Sequence, residues 1–498
     1  MSYQRRLTAT ILGLGLSLSG ASLAQPAAHA APTCKADNGV AGDLNSDGVA
    51  DVVVGVPSYD DERGAVDIRF SNGERRFLRP ADLGVTVEPG ARFGQSVALG
   101  DVNDDGCADL AIGAPGRNLS KGAAYLVKGG ANNSLTLMQS FAGTADNGSF
   151  GAQVLLLTPQ KLTASGLVNA DQQLVVAAPT ADAGTKWEVG RVEVLPLTKG
   201  FALTGSRTVI TQDSPGVPGS SESGDRFGTA LAGQDRTIVI GTPNEAVGTR
   251  KDAGSVTLLA ATASQPTTFK GVAVTQNSAG VPGTAEADDL FGAAVAFRDH
   301  YVLVGVPGET IGAARYTGQV HVLNFDPSKR TYRSLRAVHQ DTAGIPGSNR
   351  TGDYFGSAVA LGINTVDQLT AVVGAPGKAV DKRLGAGAVI AFRANRSGGQ
   401  TRLIHQGTTG IAGTPEAADQ FGASVSILGG NIDDGESMRD GIVVGVPGED
   451  IGSVTDAGAV SYSPDLSSWH SLALDDTGSP NPPADAAFGE VLASVSVA

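Results

Sequence analysis

Two nine-residue stretches of the chain carry oxygen ligands at one spacing. DLNSDGVAD runs from Asp43 to Asp51, and DVNDDGCAD from Asp101 to Asp109. In both, Asp, Asn and Asp hold positions one, three and five, Gly holds six and Asp holds nine. A loop wrapped round an ion turns such side chains inward. The glycine permits the sharp turn, and the backbone carbonyl of position seven, Val49 or Cys107, adds an oxygen. Hard oxygens with three carboxylates suit Ca²⁺, whose shell accepts six to eight ligands at about 2.3–2.6 Å. Mg²⁺ prefers fewer protein oxygens in a stricter octahedron. Turn propensity alone accounts for Asp, Asn and Gly in a loop. It does not account for identical spacing in two copies, or for three carboxylates that repel one another without a cation. We therefore expect two structural calcium sites. One uses Asp43, Asn45, Asp47, Val49 and Asp51; the other uses Asp101, Asn103, Asp105, Cys107 and Asp109.

The elements that must position these loops repeat along the chain. Each loop lies directly before a short apolar run ending in Gly-x-Pro or a close variant. Such runs recur as VVVGVP from Val52, LAIGAP from Leu110, LVVAAP from Leu174, IVIGTP from Ile238, VLVGVP from Val302, AVVGAP from Ala371 and IVVGVP from Ile442, spaced 58 to 71 residues apart. A Phe-Gly pair recurs out of phase at Phe93, Phe150, Phe227, Phe291, Phe355, Phe421 and Phe488. Each unit reads as four strands. In the fifth, FGAAVAF and YVLVGVP are apolar and buried, GQVHVLNF alternates, and TYRSLRAVHQ is polar enough for an outer edge. Seven four-stranded units with short connections predict an all-β, seven-bladed propeller of antiparallel blades. The last Phe-Gly strand, FGEVLASVSVA, has no Gly-x-Pro strand after it, and the first unit lacks a Phe-Gly strand before it. Joining the C-terminal strand to the N-terminal blade closes the ring. The residues NGVAGD before the first loop also resemble the end of such a strand, so both termini compete for one position.

Other units lack the full ligand set. The seventh has GNIDDGESMRDGIVVGVP from Gly430, with Asp433, Asp434 and Asp440 acidic but Gly430 at position one, and metal is not expected there. AGQDRT in the fourth is too short to surround an ion, and NADQQ and NTVDQ in the third and sixth read as ordinary turns.

Composition bounds the setting. Residues 1–30 have a basic start at Arg5 and Arg6, an apolar segment and small residues at Ala28-His29-Ala30, the layout of a secretory signal peptide exported by a general or twin-arginine route. Residues 31–498 form the propeller. No later stretch approaches about 20 apolar residues, so no membrane span is expected. The 68 glycines and 24 prolines argue for many turns. A net charge of −14 provides no positive stripe for nucleic acid and suits a secreted cation-binding protein. The two cysteines of the mature chain, Cys34 and Cys107, form one disulfide in an oxidising compartment, worth roughly 4 kcal/mol; two separate buried thiols are the alternative.

The Phe-Gly and Gly-Ala-Pro pairs with DxNxDGxxD loops between them resemble the FG-GAP repeats of integrin alpha subunits and of many secreted bacterial proteins. The resemblance covers essentially all of residues 31–498, and Phe93 and Phe355 head literal FG…GAP copies. It implies calcium in the loop between the first and second strands of a blade, on the lower face, with Cys34 and Cys107 on the same rim bridging neighbouring blades. Integrin subunits usually carry more such loops, in later blades, and leg domains besides. Their upper face binds partners through connections that here are long: QDSPGVPGSSESGDRFG from Gln212, QNSAGVPGTAEADDLFG from Gln276, QDTAGIPGSNRTGDYFG from Gln340 and QGTTGIAGTPEAADQFG from Gln406.

No catalytic constellation stands out. There is no GxSxG elbow, no HExxH and no phosphate loop. His339 and His405 stand where sister units have Thr211 and Thr275, and His300, His321 and His470 are single. Asp225, Asp289, Asp353 and Asp419 recur with every long connection, as structural caps do. The expectation is a secreted, monomeric, calcium-binding binding or adhesion module without its own catalysis, with an extracellular protein or glycan as partner. A hydrolase or polysaccharide lyase on the propeller, or a carbohydrate-binding lectin, is the alternative.

Overall fold

The computed structural model describes residues 34, 40–163, 166–169, 172–262, 264–363, 369–396, 398–428, 441–466, 468–474 and 486–495. The expected signal peptide and the acidic stretch around Asp433 lie outside them. The described residues form seven antiparallel blades of four strands, one of which gains a fifth. Strand order within each blade follows the repeat. In blade 5, Ala294–Arg298, Tyr301–Val306, Gln319–Asp326 and Thr331–Val338 pair in sequence, as the FGAAVAF to TYRSLRAVHQ reading requires. The Gly-x-Pro strands are buried on both faces, whereas the outer strand Thr331–Val338 is exposed or half-buried until Val338. Innermost strands of six blades bring Leu155, Leu231, Val295, Val359, Val425 and Leu492 round one central cavity of about 150 Å³.

The repeated motif is the joint between blades. All seven Phe-Gly phenylalanines are at most 1% exposed. The N–H of each donates to a carbonyl in the turn between the second and third strands of the preceding blade, as in Phe93 to Arg63 O at 3.0 Å and Phe488 to Ala457 O at 3.1 Å. The following glycine turns back to its own blade, where Gly94 N–H donates to Gly113 O at 2.9 Å. Its carbonyl then abuts the Gly-x-Pro glycine of the preceding blade. A Cβ on Gly55, Gly305 or Gly374 would lie 2.0 Å from the carbonyl oxygen of Gly94, Gly356 or Gly422. A side chain on these glycines would force the backbone to move, which favours glycine in the Gly-x-Pro motif. Blade 3 has Ala177 at the Gly-x-Pro position.

Ring closure is settled by the C-terminus. Val491–Leu492 pairs antiparallel with Val52–Val56 as the innermost strand of blade 1. Val40–Gly42, at the end of NGVAGD, forms a turn rather than a competing strand. Ser494–Val495 then runs on, parallel to Ser96–Gly100 of blade 2. One element escaped the sequence reading: a hairpin of Gln160–Thr163 and Gly166–Asn169 precedes the NADQQ turn of blade 3. Its residues carry no Gly-x-Pro or Phe-Gly signal, so the repeat offered no register for them.

Candidate metal centre

The two acidic loops adopt one hydrogen-bonded geometry. At position one, Asp43 accepts from Gly48 N at 2.7 Å and Asp47 N at 3.2 Å; Asp101 accepts from Gly106 N at 2.9 Å and Asp105 N at 3.3 Å. At position three, Asn45 Oδ1 accepts from Asp47 N at 3.0 Å and Asn103 Oδ1 from Asp105 N at 2.9 Å. At position five, Asp47 and Asp105 each accept from the N–H of position seven at 3.0 Å. At position nine, Asp51 and Asp109 each reach back to the N–H of position two at 2.8 Å. Position four is left-handed in both, with φ of 62° at Ser46 and Asp104, and Gly48 and Gly106 follow at 97° and 87°.

Burial makes the charge in these loops costly. Asp43 and Asp51 are 1% and 3% exposed, and Asp109 is fully buried. Desolvation pushes the Asp51 carboxyl up to about 7, the repulsion of Asp43 and Asp47 adding to it. Asp109 rises well above the usual carboxylate range, again by burial first and by Asp101 and Asp105 next; Asp43 and Asp101 rise for the same reasons. A divalent cation would remove this penalty, and the all-oxygen donor set suits Ca²⁺. Among the described residues, however, the one trio of His, Cys, Asp or Glu with donor atoms within 4.8 Å of one another is Cys34, Asp105 and Cys107. Its sulfurs are bonded to each other. Loop N–H groups hold the loop carboxylates in this structure.

The two loops are one assembly. The disulfide between Cys34 and Cys107 ties the chain entering the first loop to position seven of the second. Ala108 N–H donates to Asp43 O at 2.7 Å. Supporting partners invisible to the motif come from the third-to-fourth strand turns. Ser71 donates to Asp51 through its N–H at 3.0 Å and to Asp47 through its hydroxyl at 2.5 Å; Asn133 accepts from Asn45 Nδ2 at 2.7 Å. Lys128 Nζ lies 2.7 Å from Asp105. Only tertiary structure brings these residues, up to 88 positions away, to the loops.

Elsewhere, three of the four recurring aspartates cap turns: Asp225, Asp289 and Asp419 accept from the N–H of Glu222, Glu286 and Glu416 at 2.5–2.6 Å, whereas Asp353 accepts from the Gln340 and Lys378 side chains. His321 is fully buried against Phe291, with ring centroids 5.3 Å apart. His339 and His405 accept from loop N–H groups through Nδ1 at 3.2 and 3.1 Å. His470 stacks on Tyr462.

Residues 93–127 match the FG-GAP repeat family. The chain is 43% identical over 83 residues to Drosophila melanogaster integrin alpha-PS5, covering 15% of this chain and 8% of that protein. It is 38% identical over 102 residues to the mouse phosphatidylinositol-glycan-specific phospholipase D, 18% and 12% of the two chains. With integrin alpha pat-2 of Caenorhabditis elegans it shares 27% over 237 residues, 44% and 18%. Less than a fifth of each of these relatives is covered. Two solved structures show a partial likeness to this chain. A Bacteroides uniformis protein described as a candidate 6-phosphogluconolactonase covers 85% of this chain and 96% of its own (10% identity, TM-score 0.46). A Pseudomonas aeruginosa periplasmic gluconolactonase covers 90% and 98% (14% identity, TM-score 0.41). The expectation of a chain without catalysis is corrected by these neighbours: lactonases stand among the proteins of similar architecture, so a missing motif does not make this chain a non-enzyme. At such identities they show the fold alone and assign no reaction to it.

Proposed function

We propose that this chain, an FG-GAP repeat propeller of the integrin alpha type, is an extracellular binding or adhesion module stapled by two calcium ions. The observation that carries the reading is the matching geometry of the two loops around carboxylates that burial makes reluctant to ionise. Asp43, Asn45, Asp47, Asp51 and the Val49 carbonyl would hold one ion. Asp101, Asn103, Asp105, Asp109 and the Cys107 carbonyl would hold the other. Calcium would supply positive charge, and its binding energy would add to folding. The chain's own part is to fix the loops: N–H groups orient the carboxylates, Ser71 and Asn133 brace them from neighbouring turns, and the disulfide limits their separation. Asp105 would exchange Lys128 for the ion. The long connections from Gln212, Gln276, Gln340 and Gln406 gather on the opposite rim, where a protein or glycan ligand would bind. Among the described residues no helix is long and apolar enough to cross a membrane.

The test is chelation of the intact protein followed by calcium return. A melting temperature that falls with chelator, recovers with Ca²⁺ and loses that response in Asp51→Asn/Asp109→Asn supports the staple. An unchanged melting temperature refutes it.

A second reading, a hydrolase on the same scaffold, is favoured by the 38% identity to the mouse phospholipase D over 102 residues. Turnover of lactones, esters or phospholipids that co-purifies with the chain through dialysis would establish it. A pull-down from culture surfaces beside a glycan array would instead identify a binding partner.

A further inference from the structure

The four long connections repeat one buried arrangement with a single change of sign. Gln212, Gln276, Gln340 and Gln406 are at most 4% exposed. Each opens a connection that carries a buried aspartate before a Phe-Gly pair: Asp225, Asp289, Asp353 and Asp419, all at most 3% exposed. The third member stands two residues after the Gly-x-Pro proline. It is Glu245, Glu309 and Glu449 in three blades but Lys378 in the fourth.

Where the third member is lysine, the cluster is complete. Lys378 Nζ donates to Gln340 Oε1 at 2.5 Å and lies 3.3 Å from both Asp353 Oδ2 and Ser348 O. Gln340 Nε2 donates to the same Asp353 oxygen at 2.8 Å. One carboxylate meets one ammonium, and every polar atom of the amide has a partner. Where the third member is glutamate, the amide turns over. Gln276 Nε2 donates to Glu309 at 2.5 Å, and Gln212 and Gln406 donate likewise to Glu245 and Glu449. Beside Gly219, Gly283 and Gly413 the nearest amide atom is Nε2, at 3.0–3.4 Å from a built Cβ; beside Gly347 it is Oε1, at 3.1 Å. The consequence is an orphan: Oε1 of Gln212, of Gln276 and of Gln406 accepts no hydrogen bond from the protein, although each is shut away from solvent. A buried carbonyl without a donor costs about 1–3 kcal/mol.

Charge balance identifies what is missing. With lysine, the buried charges sum to zero. With glutamate, a second carboxylate stands where the ammonium would, and its ionisation is made costly by burial first and by the nearby aspartate as well. The outer residue changes sign in step: Glu222, Glu286 and Glu416 stand three residues before Asp225, Asp289 and Asp419, and Arg350 stands three before Asp353. Two negative charges and an orphaned carbonyl oxygen are the donor set of a hard divalent ion. At the first cluster, Gln212, Gly219 and Glu245 line a recess of about 230 Å³, with Ser255, Thr257 and Thr275 on its wall. The recess opens on Gln212 and Glu245 and leaves room for an ion with its own waters; Asp225 is not on its wall.

We propose that the Gln212–Asp225–Glu245, Gln276–Asp289–Glu309 and Gln406–Asp419–Glu449 clusters each bind one hard divalent cation, Ca²⁺ or Mg²⁺, and that Lys378 is the built-in substitute in the remaining blade. The ions anchor the long upper connections to the Gly-x-Pro strands, as the ammonium does in its own blade.

The test uses the full chain stripped by chelator, with Ca²⁺ alone and Mg²⁺ alone as probes, read by equilibrium dialysis. Glu245→Gln/Glu309→Gln/Glu449→Gln is expected to take up three fewer ions per chain than the unaltered protein. Glu309→Lys copies the native lysine cluster, so it is expected to fold, to lose one ion and to melt in chelator no lower than the unaltered protein. Asp51→Asn/Asp109→Asn removes the lower-face loops separately, so the two readings fail independently. Unchanged uptake of both metals by the triple variant and by Glu309→Lys overturns the proposal: the clusters then hold protons rather than metal.

Discussion

Leu492, near the end of the chain, pairs with Val54 of the first Gly-x-Pro strand, and this contact makes the propeller a closed ring. Phe488 anchors the same strand in a core shared with Val54, Val56 and Val443. Phe488→Ala should therefore cost about 3–5 kcal/mol in denaturant unfolding, as for other large core truncations. Removal of residues 488–498 should cost more. It should also produce oligomers by light scattering, because it exposes the edge of Val52–Val56. A monomeric truncated chain with native stability would contradict this account of closure.

The interblade glycine contacts give a sharper test. Gly305→Ala places a methyl 2.0 Å from Gly356 O, so backbone must move. The expected loss is at least about 2 kcal/mol. Gly205→Ala, with nothing within 4 Å of the new methyl, should change stability by less than about 0.5 kcal/mol. Equal effects at the two positions would rule out the contact as the origin of the motif.

The disulfide spans 73 residues. Cys34→Ser/Cys107→Ser should lose about 4 kcal/mol if the cross-link acts chiefly on the unfolded chain. Because Cys107 is position seven of the second loop, the same variant should also bind Ca²⁺ more weakly. Calorimetry with and without calcium separates the two effects.

His321 supplies a pH signature. Burial lowers its imidazole to about 4, from an ordinary value of 6.5. Between those values the unfolded chain takes up a proton that the native core refuses, so stability falls as pH drops from about 6.5 to about 4. The full effect is about 3 kcal/mol. His321→Ile, which copies Ile390 at the equivalent position of blade 6, should flatten that part of the profile. An unaltered acid limb would show that other groups carry it.

The acidic clusters of the upper connections show where the repeat was informative and where it was not. Asp225, Asp289 and Asp419 are legible as turn caps, because a role that recurs in every unit is imposed by local backbone geometry. Their second neighbours, Glu245, Glu309 and Glu449, sit in a different part of the repeat and look unremarkable in sequence. Only the packing of one connection against the next Gly-x-Pro turn brings the two carboxylates and the glutamine together. His321 illustrates the same divide. Its strand is plain from alternation, but the position faces the Phe-Gly phenylalanine of its own blade, Phe291. Asp67, Tyr125, Glu193, Thr257, Ile390 and Ser461 fill it elsewhere.

The sequence by itself determined the number of blades, the order of strands and the two nine-residue acidic loops. Strand formation, turns and ligand spacing are local, and a motif repeated seven times states them seven times. Tertiary structure decided which terminus closes the ring, the joining of the two loops through Cys34–Cys107 and Ala108, and the lining of the upper rim with paired buried acids. Those outcomes depend on contacts between residues far apart in the chain. Their energies come from burial and from charges that water no longer screens, and neither exists until the blades have packed.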